Sequence, residues 1–255
     1  MAGSGQGLKN MTFISKTSTE TFSFVFLSKT ITMDNTGIIK FLKELQNNNN
    51  RDWFEKNKET YKAALADFSK LSEKLIVILG KLDEGIIGLQ PKDCIFRIYR
   101  DVRFSKNKDP YKNHFGAFFA NGGRKSKYAG FYIHIEPGGN SFLGGGIYGP
   151  QKEELAAIRQ EITYNLDDYL SIINNKDFKK TFPEMYGEPL KTAPKGFDKE
   201  DPGIPYIKNK HYAVGHNIKD DFWTDPKLEQ NMLKIFKTLK PFNDFMNEAV
   251  NNLES

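Results

Sequence analysis

Three aromatic-rich runs, Phe115–Ala120, Tyr128–Glu136 and Phe142–Tyr148, follow one another closely along the chain. They are separated by Asn121-Gly122-Gly123 and Pro137-Gly138-Gly139-Asn140. Aromatic and β-branched side chains suit a pleated, half-buried surface, and Gly/Asn-rich turns of this length join antiparallel neighbours. The pattern predicts an antiparallel meander. Cys94–Phe104 alternates in the same period ahead of it, and His211–Ile218 predicts one more strand behind it.

Helical periods flank this region. Thr36 can cap a helix through about Gln46, with Ile38, Ile39, Leu42 and Leu45 on one side, and the Asn47–Asn50 run breaks it. Asp52 is placed to cap a long helix from Trp53 to about Leu82. Its apolar positions Phe54, Tyr61, Leu65, Phe68, Leu71, Leu75, Ile78 and Leu82 step by threes, fours and one seven, a core stripe. Pro150 opens a helix through about Tyr164, and Leu166–Asn174 continues in the same period. Five of the eleven prolines fall between 183 and 205, which predicts an irregular loop, and Leu228–Leu253 reads as a final helix bent at Pro241. Strands grouped between helical ends give an α+β class: a central, mostly antiparallel sheet packed against N-terminal, middle and C-terminal helices.

The first 32 residues read as a flexible extension and 33–255 as a single domain. Met1 to Lys9 is rich in Gly, Ser and Gln, and Ser15 to Thr21 is mostly Ser and Thr. The apolar run Phe22–Leu27 is too brief and wrongly flanked for a secretory signal, and Met33 is an alternative start. No run of 18 apolar residues exists to span a membrane, and the lone Cys94 excludes an intrachain disulfide framework and any multi-cysteine zinc site. These features make a cytoplasmic location the expectation.

Charge is unevenly spread. The formal net charge is +5, yet residues 91–130 alone carry ten basic and three acidic side chains, +7, leaving −2 for the rest. The chain has 31 lysines and six arginines, and three of those six are Arg97, Arg100 and Arg103. Arginine inside a Lys-rich composition points to a need for its rigid, bidentate fork. On a strand, Arg97, Tyr99, Asp101 and Arg103 would share one face. Arg100 would then lie on the other among Phe96, Ile98, Val102 and Phe104, where it needs a carboxylate or a ligand as partner.

The stretch RIYRDVRFSKNKDPYKNH carries a resemblance, together with NNRDWFEKNKETY upstream and GFYIHIEPGG, GGGIYGP and APKGFD downstream. From about Ile38 to Ala249 the chain resembles an uncharacterised bacterial and fungal family known as domain of unknown function 2461. The resemblance implies that Arg97 to Lys112 is the family's hallmark segment. It brings no activity, substrate, cofactor or catalytic residue with it.

His134-Ile135-Glu136 is a second candidate. Residues two apart on a strand face the same way, so imidazole and carboxylate could form an acid/base pair. Two potential ligands without a third at a recognisable spacing do not define a metal site, and no HExxH is present. His114, His211 and His216 could converge, which spacing alone does not decide. Gly144–Gly149 lacks the lysine of a phosphate loop and the spacing of a dinucleotide fingerprint, so close strand packing is its expected role. Ser105 and Ser141 have no GxSxG elbow, and Cys94 beside Ile95 and Phe96 reads as a core thiol.

Three readings follow. The first is a pocket for a phosphorylated or carboxylated small molecule lined by Arg97, Arg100, Arg103, Lys108, Tyr111 and Lys112. If it is catalytic, Asp101, His134 and Glu136 handle protons. The second is a structural or interaction domain whose Arg/Asp cluster only stabilises the fold. The third is nucleic-acid binding through the basic, aromatic segment, with no recognised motif to support it. Cofactor and oligomeric state are left open.

Overall fold

The computed structural model describes residues 35–253. The expected extension, the Phe22–Leu27 run and Met33 lie outside them. In chain order the helices and strands are α1 (Thr36–Asn47), α2 (Arg51–Lys56), α3 (Lys58–Leu79), α4 (Pro91–Cys94), β1 (Phe115–Phe119), β2 (Gly130–Ile135), β3 (Ser141–Ile147), α5 (Lys152–Tyr164), α6 (Leu166–Ile173), α7 (Lys176–Thr181), α8 (Ile204–Ile207), β4 (Tyr212–Ile218) and α9 (Leu228–Asn251). The sheet is antiparallel throughout, in the order β1-β2-β3-β4. Helices pack on it, and the class is α+β.

One face of the sheet is core. Phe115, Ala117 and Phe119 of β1, Phe131, Ile133 and Ile135 of β2, and Leu143 of β3 are fully or nearly fully buried. Helix α3 covers β1, where Phe68 stacks on Phe115 at 5.2 Å, and α9 covers β2, where Phe236 meets Phe131 edge-on at 5.2 Å. Strand period two places the alternate residues Gly116, Phe118, Tyr132, His134, Phe142 and Gly144 on the opposite face. Helices α6 and α7 dock on α9 through Tyr169–Phe245 and Phe178–Phe242 ring contacts. Arg159 of α5 ties down the end of α8, donating to the carbonyls of Ile207 (2.8 Å) and Asn209 (3.1 Å). Among the described residues no helix is long and apolar enough to cross a membrane.

Several local expectations are corrected. The long helix expected from Trp53 is two helices, broken at Asn57, whose backbone leaves helical geometry (φ −106°, ψ 19°). Its cap is Asn50 and not Asp52: the Asn50 carboxamide accepts from the Trp53 amide at 2.9 Å, and Asp52 sits in the first turn. Cys94–Phe104 is not a strand. Cys94 ends a one-turn helix, and the following residues pair only at isolated bridges, Ile95 with Ala117 and Tyr99 with Tyr111. Pro150 lies one residue before the N-cap Gln151 of α5, where Gln151 and Glu154 form a reciprocal capping box. Helix α7 stands in a polar stretch that has no apolar period to announce it, and Asn175 caps it through the Asp177 and Phe178 amides. The last helix runs through Pro241 as a single element.

The glycines of β3 carry the expected packing role. A Cβ on Gly144 would stand 2.2 Å from the Val214 carbonyl oxygen, and one on Gly145 would stand 2.0 Å from that of Gly130. Gly146 adds a left-handed backbone, φ +97°, that side chains rarely adopt. Cys94 is fully buried, and burial pushes its thiol up to about 12.

Candidate functional site

The face of the sheet away from the core carries a cavity of about 770 Å³. Gly145, Gly146, Ala213 and Val214 floor it, and Phe96, Phe118, Tyr132, Phe142 and Tyr186 wall it. Small residues on neighbouring strands leave room that ordinary side chains would fill. Tyr186 lies over Gly215, where a Cβ would stand 2.3 Å from its hydroxyl. The polar groups lining the cavity include Lys112, His114, Arg124 and His134.

Strand register assembles the imidazoles. Phe115 pairs with Ile135, and Gly116 with His134, so continuing β1 back by one residue sets His114 across from Glu136. The rings of His114 and His134 lie 4.0 Å apart between centroids. His134 Nε2 is 2.9 Å from Glu136 Oε2, and His114 Nδ1 is 3.9 Å from the same oxygen. At its other end His134 Nδ1 meets the Tyr132 hydroxyl at 3.2 Å. A carboxylate only accepts, so Nε2–H donates to Glu136 and Nδ1 accepts from Tyr132, a tautomer assigned from these partners. From α1, Gln46 donates to the Glu136 carboxylate.

Desolvation dominates the electrostatics. Burial, with His134 and Lys112 beside it, holds His114 down to about 3 against a weaker opposing pull from Glu136. Burial and Lys112 hold His134 down to about 4. The short His134–Glu136 contact pulls the other way, but two rings this close, next to an ammonium, cannot both be charged. At neutral pH both imidazoles are uncharged and have lone pairs to offer. Burial raises Glu136, with His114 and the Gln46 bond opposing. Burial also lowers Lys112, whose ammonium lies 5.6 Å from the Phe96 ring centroid.

The structure therefore gathers part of the expected constellation and disperses the rest. His134 and Glu136 meet as expected, and of the six expected ligand-binding residues Lys112 lines the cavity. Arg103 instead forms an exposed fork with Asp101, Nε–Oδ1 at 2.9 Å and Nη2–Oδ2 at 2.6 Å, which takes Asp101 out of proton transfer at the cavity. Arg100 is half-buried but its partners are neutral: the Asp109 carbonyl at 3.2 Å and Ser105 Oγ at 3.3 Å, not the carboxylate the sequence suggested. Lys108 is exposed and donates to the Val102 carbonyl at 3.0 Å, and Arg97 is also exposed. Tyr111 is a core ring, stacked on Phe54 at 3.9 Å. Its backbone is gripped by Asn49, which accepts from the Tyr111 amide and donates to its carbonyl.

His114 and Arg124 are the polar lining residues that the sequence reading did not place in the site. His114 closes the hallmark stretch two residues after Lys112, and Arg124 is one of only six arginines. His211 and His216 stay apart from the pair: His211 accepts from the Gly149 amide and stacks on Tyr148, and His216 pairs with the Thr181 carbonyl. The donor atoms of His114, His134 and Glu136 all lie within 4.8 Å of one another, a grouping able to hold a metal ion.

No curated protein and no solved structure matches the chain significantly. Residues 37–245, including the hallmark segment and both histidines of the cavity, match the model of the conserved hypothetical proteins called domain of unknown function 2461, and the chain belongs to that family.

Proposed function

We propose that this protein binds a small anionic molecule, phosphorylated or carboxylated, in the cavity on the open face of the sheet. The sign of the charge there carries the reading: Lys112 and Arg124 line the cavity, and among the described residues lining it none is Asp or Glu. Lys112 is partly stripped of water and has Arg97 as a charged neighbour, so an anion seated beside it supplies the counter-charge its surroundings lack. The aromatic walls suit an apolar or ring portion of the same molecule. His134, with Glu136 behind it, would face that molecule beside His114, whereas Asp101 and Arg103 would not. We also infer a cytoplasmic location, for which the lone, buried Cys94 is the support.

The test is a low-salt thermal-shift series on the full chain with phosphate, nucleotides, sugar phosphates and dicarboxylates. At 100 times the dissociation constant, binding adds about 2.7 kcal/mol to stability, a readable shift. The expected result is a shift from one class of anion that Lys112→Met and Arg124→Met abolish and Arg103→Ala keeps. Silence across the anions would transfer the basic cluster to a purely structural role. Shifts confined to oligonucleotides and fading with salt would make this a nucleic-acid site.

A further inference from the structure

We propose that His114, His134 and Glu136 bind a divalent transition-metal ion, with open coordination positions facing the cavity. The inference is independent of the anion reading, because it needs only these three side chains.

Geometry is the first argument. Ligands 2.0–2.2 Å from a tetrahedral ion stand about 3.3–3.6 Å from one another. The two donor separations known here, 2.9 Å and 3.9 Å, bracket that spacing, and the whole set spans no more than 4.8 Å. Seating an ion therefore asks for side-chain adjustments of about half an ångström. The scaffold is rigid: His134 lies within β2, His114 directly precedes β1, and Glu136 directly follows β2.

The surroundings are the second argument. A ligating histidine usually donates its remaining ring N–H to a fixed acceptor. If Nε2 of His134 turns its lone pair to a metal, its proton moves to Nδ1, where the Tyr132 hydroxyl waits at 3.2 Å. The Gln46 amide would hold Glu136 in the same way. Phe142 stacks on the His134 ring at 4.6 Å and fixes its plane.

Donor chemistry selects the ion. Two imidazoles and one carboxylate suit Zn(II), Fe(II) or Co(II), whereas Mg(II) and Ca(II) favour all-oxygen sites. Three protein ligands leave at least one position for water or a ligand atom, as in catalytic rather than structural sites. Both histidines line the cavity, so that position opens where Lys112 and Arg124 also point. A bound ion there would polarise a phosphoryl or carboxyl oxygen, or lower the pKa of its own water.

The experiment is titration of the full, chelator-stripped chain with Co(II), read by visible absorption, and with Zn(II), read by calorimetry. The expected result is one ion per chain with the absorption of a low-symmetry nitrogen/oxygen site. His114→Ala and Glu136→Gln should weaken Zn(II) by more than the about 10–100-fold typical of losing an outer-shell partner. His211→Ala should leave it unchanged. Tyr132→Phe, which keeps the ring and its packing, covers the case in which a ligand variant does not fold: it should weaken Zn(II) about 10–100-fold. Absence of a stoichiometric Co(II) spectrum, or binding indifferent to His114→Ala in a folded variant, overturns the proposal. Repeating the anion thermal shifts with chelator separates the two readings: a surviving anion shift without metal binding leaves the pocket and removes the ion, and the reverse leaves the ion alone.

Discussion

His134 is clamped between two rings, His114 at 4.0 Å on one side and Phe142 at 4.6 Å on the other. Gly116 lies across from it in the register, and its missing side chain is what lets the Tyr132 hydroxyl reach the Nδ1 edge. A Cβ at Gly116 would stand 2.5 Å from that hydroxyl. Gly116→Ala should therefore overpack the site and lower stability by about 1–3 kcal/mol, read as a lower urea midpoint at unchanged slope. An unchanged midpoint would mean that Tyr132 has another place to go.

Phe54 links the first helices to the hallmark segment, since it is fully buried and stacks on Tyr111. Phe54→Ala should cost about 3–5 kcal/mol in equilibrium unfolding. A loss below about 1 kcal/mol would show that this junction is not part of the cooperative core.

Arg103 and Asp101 hold each other in solvent, with 76% and 48% of their side chains exposed. Exposed pairs contribute little once solvent screening acts. Arg103→Ala should leave both the melting temperature and any anion-induced shift where they are in the parent chain. A lost anion shift in this variant would return the ligand to the exposed arginine fork and away from the cavity.

Cys94 is closed to solvent and its thiol is pushed up to about 12, so at pH 8 almost none of it is thiolate. The thiolate is the reactive form. Alkylation by iodoacetamide at pH 8 should be slow in the native protein and reach the free-thiol rate in guanidinium. Rapid native modification would contradict the packing around α4.

How much of this was legible depends on the range of the information. Helices α1, α5, α6 and α9 and the four strands are written in periods of 3.6 and 2 that need only neighbouring residues. Even the break at Asn57 left a mark, the seven-residue step from Phe54 to Tyr61 in an otherwise regular stripe. Residues 97–103 illustrate a false positive: Arg97, Tyr99, Asp101 and Arg103 are exposed and Ile98 is buried, so the alternation is real although no strand forms. The burial period survives, but ladder bonding does not.

The site was readable only in halves. His134 and Glu136 share a face because they are two residues apart, a local fact. His114 joins them through the register of β1 on β2, which neither strand's sequence states. The basic cluster misled because charge density along the chain says nothing of direction: Lys112 turns to the cavity, while Arg97, Arg103 and Lys108 turn to water. The asparagine run read as a helix breaker has positive roles as well, Asn49 gripping the Tyr111 backbone and Asn50 capping α2.

The cavity rests in part on peptide backbone and not on side chains, at Gly145 and Gly146. Glycine has no rotamers to freeze, so a bound molecule meets that part of the surface without the side-chain ordering loss that usually accompanies contact. Such a floor is equally blind to chemistry, since every ligand finds the same flat peptide planes. Discrimination must then come from the walls, and exchanging Phe118, Phe142 or Tyr186 would retune what the protein accepts without disturbing the sheet on which it rests.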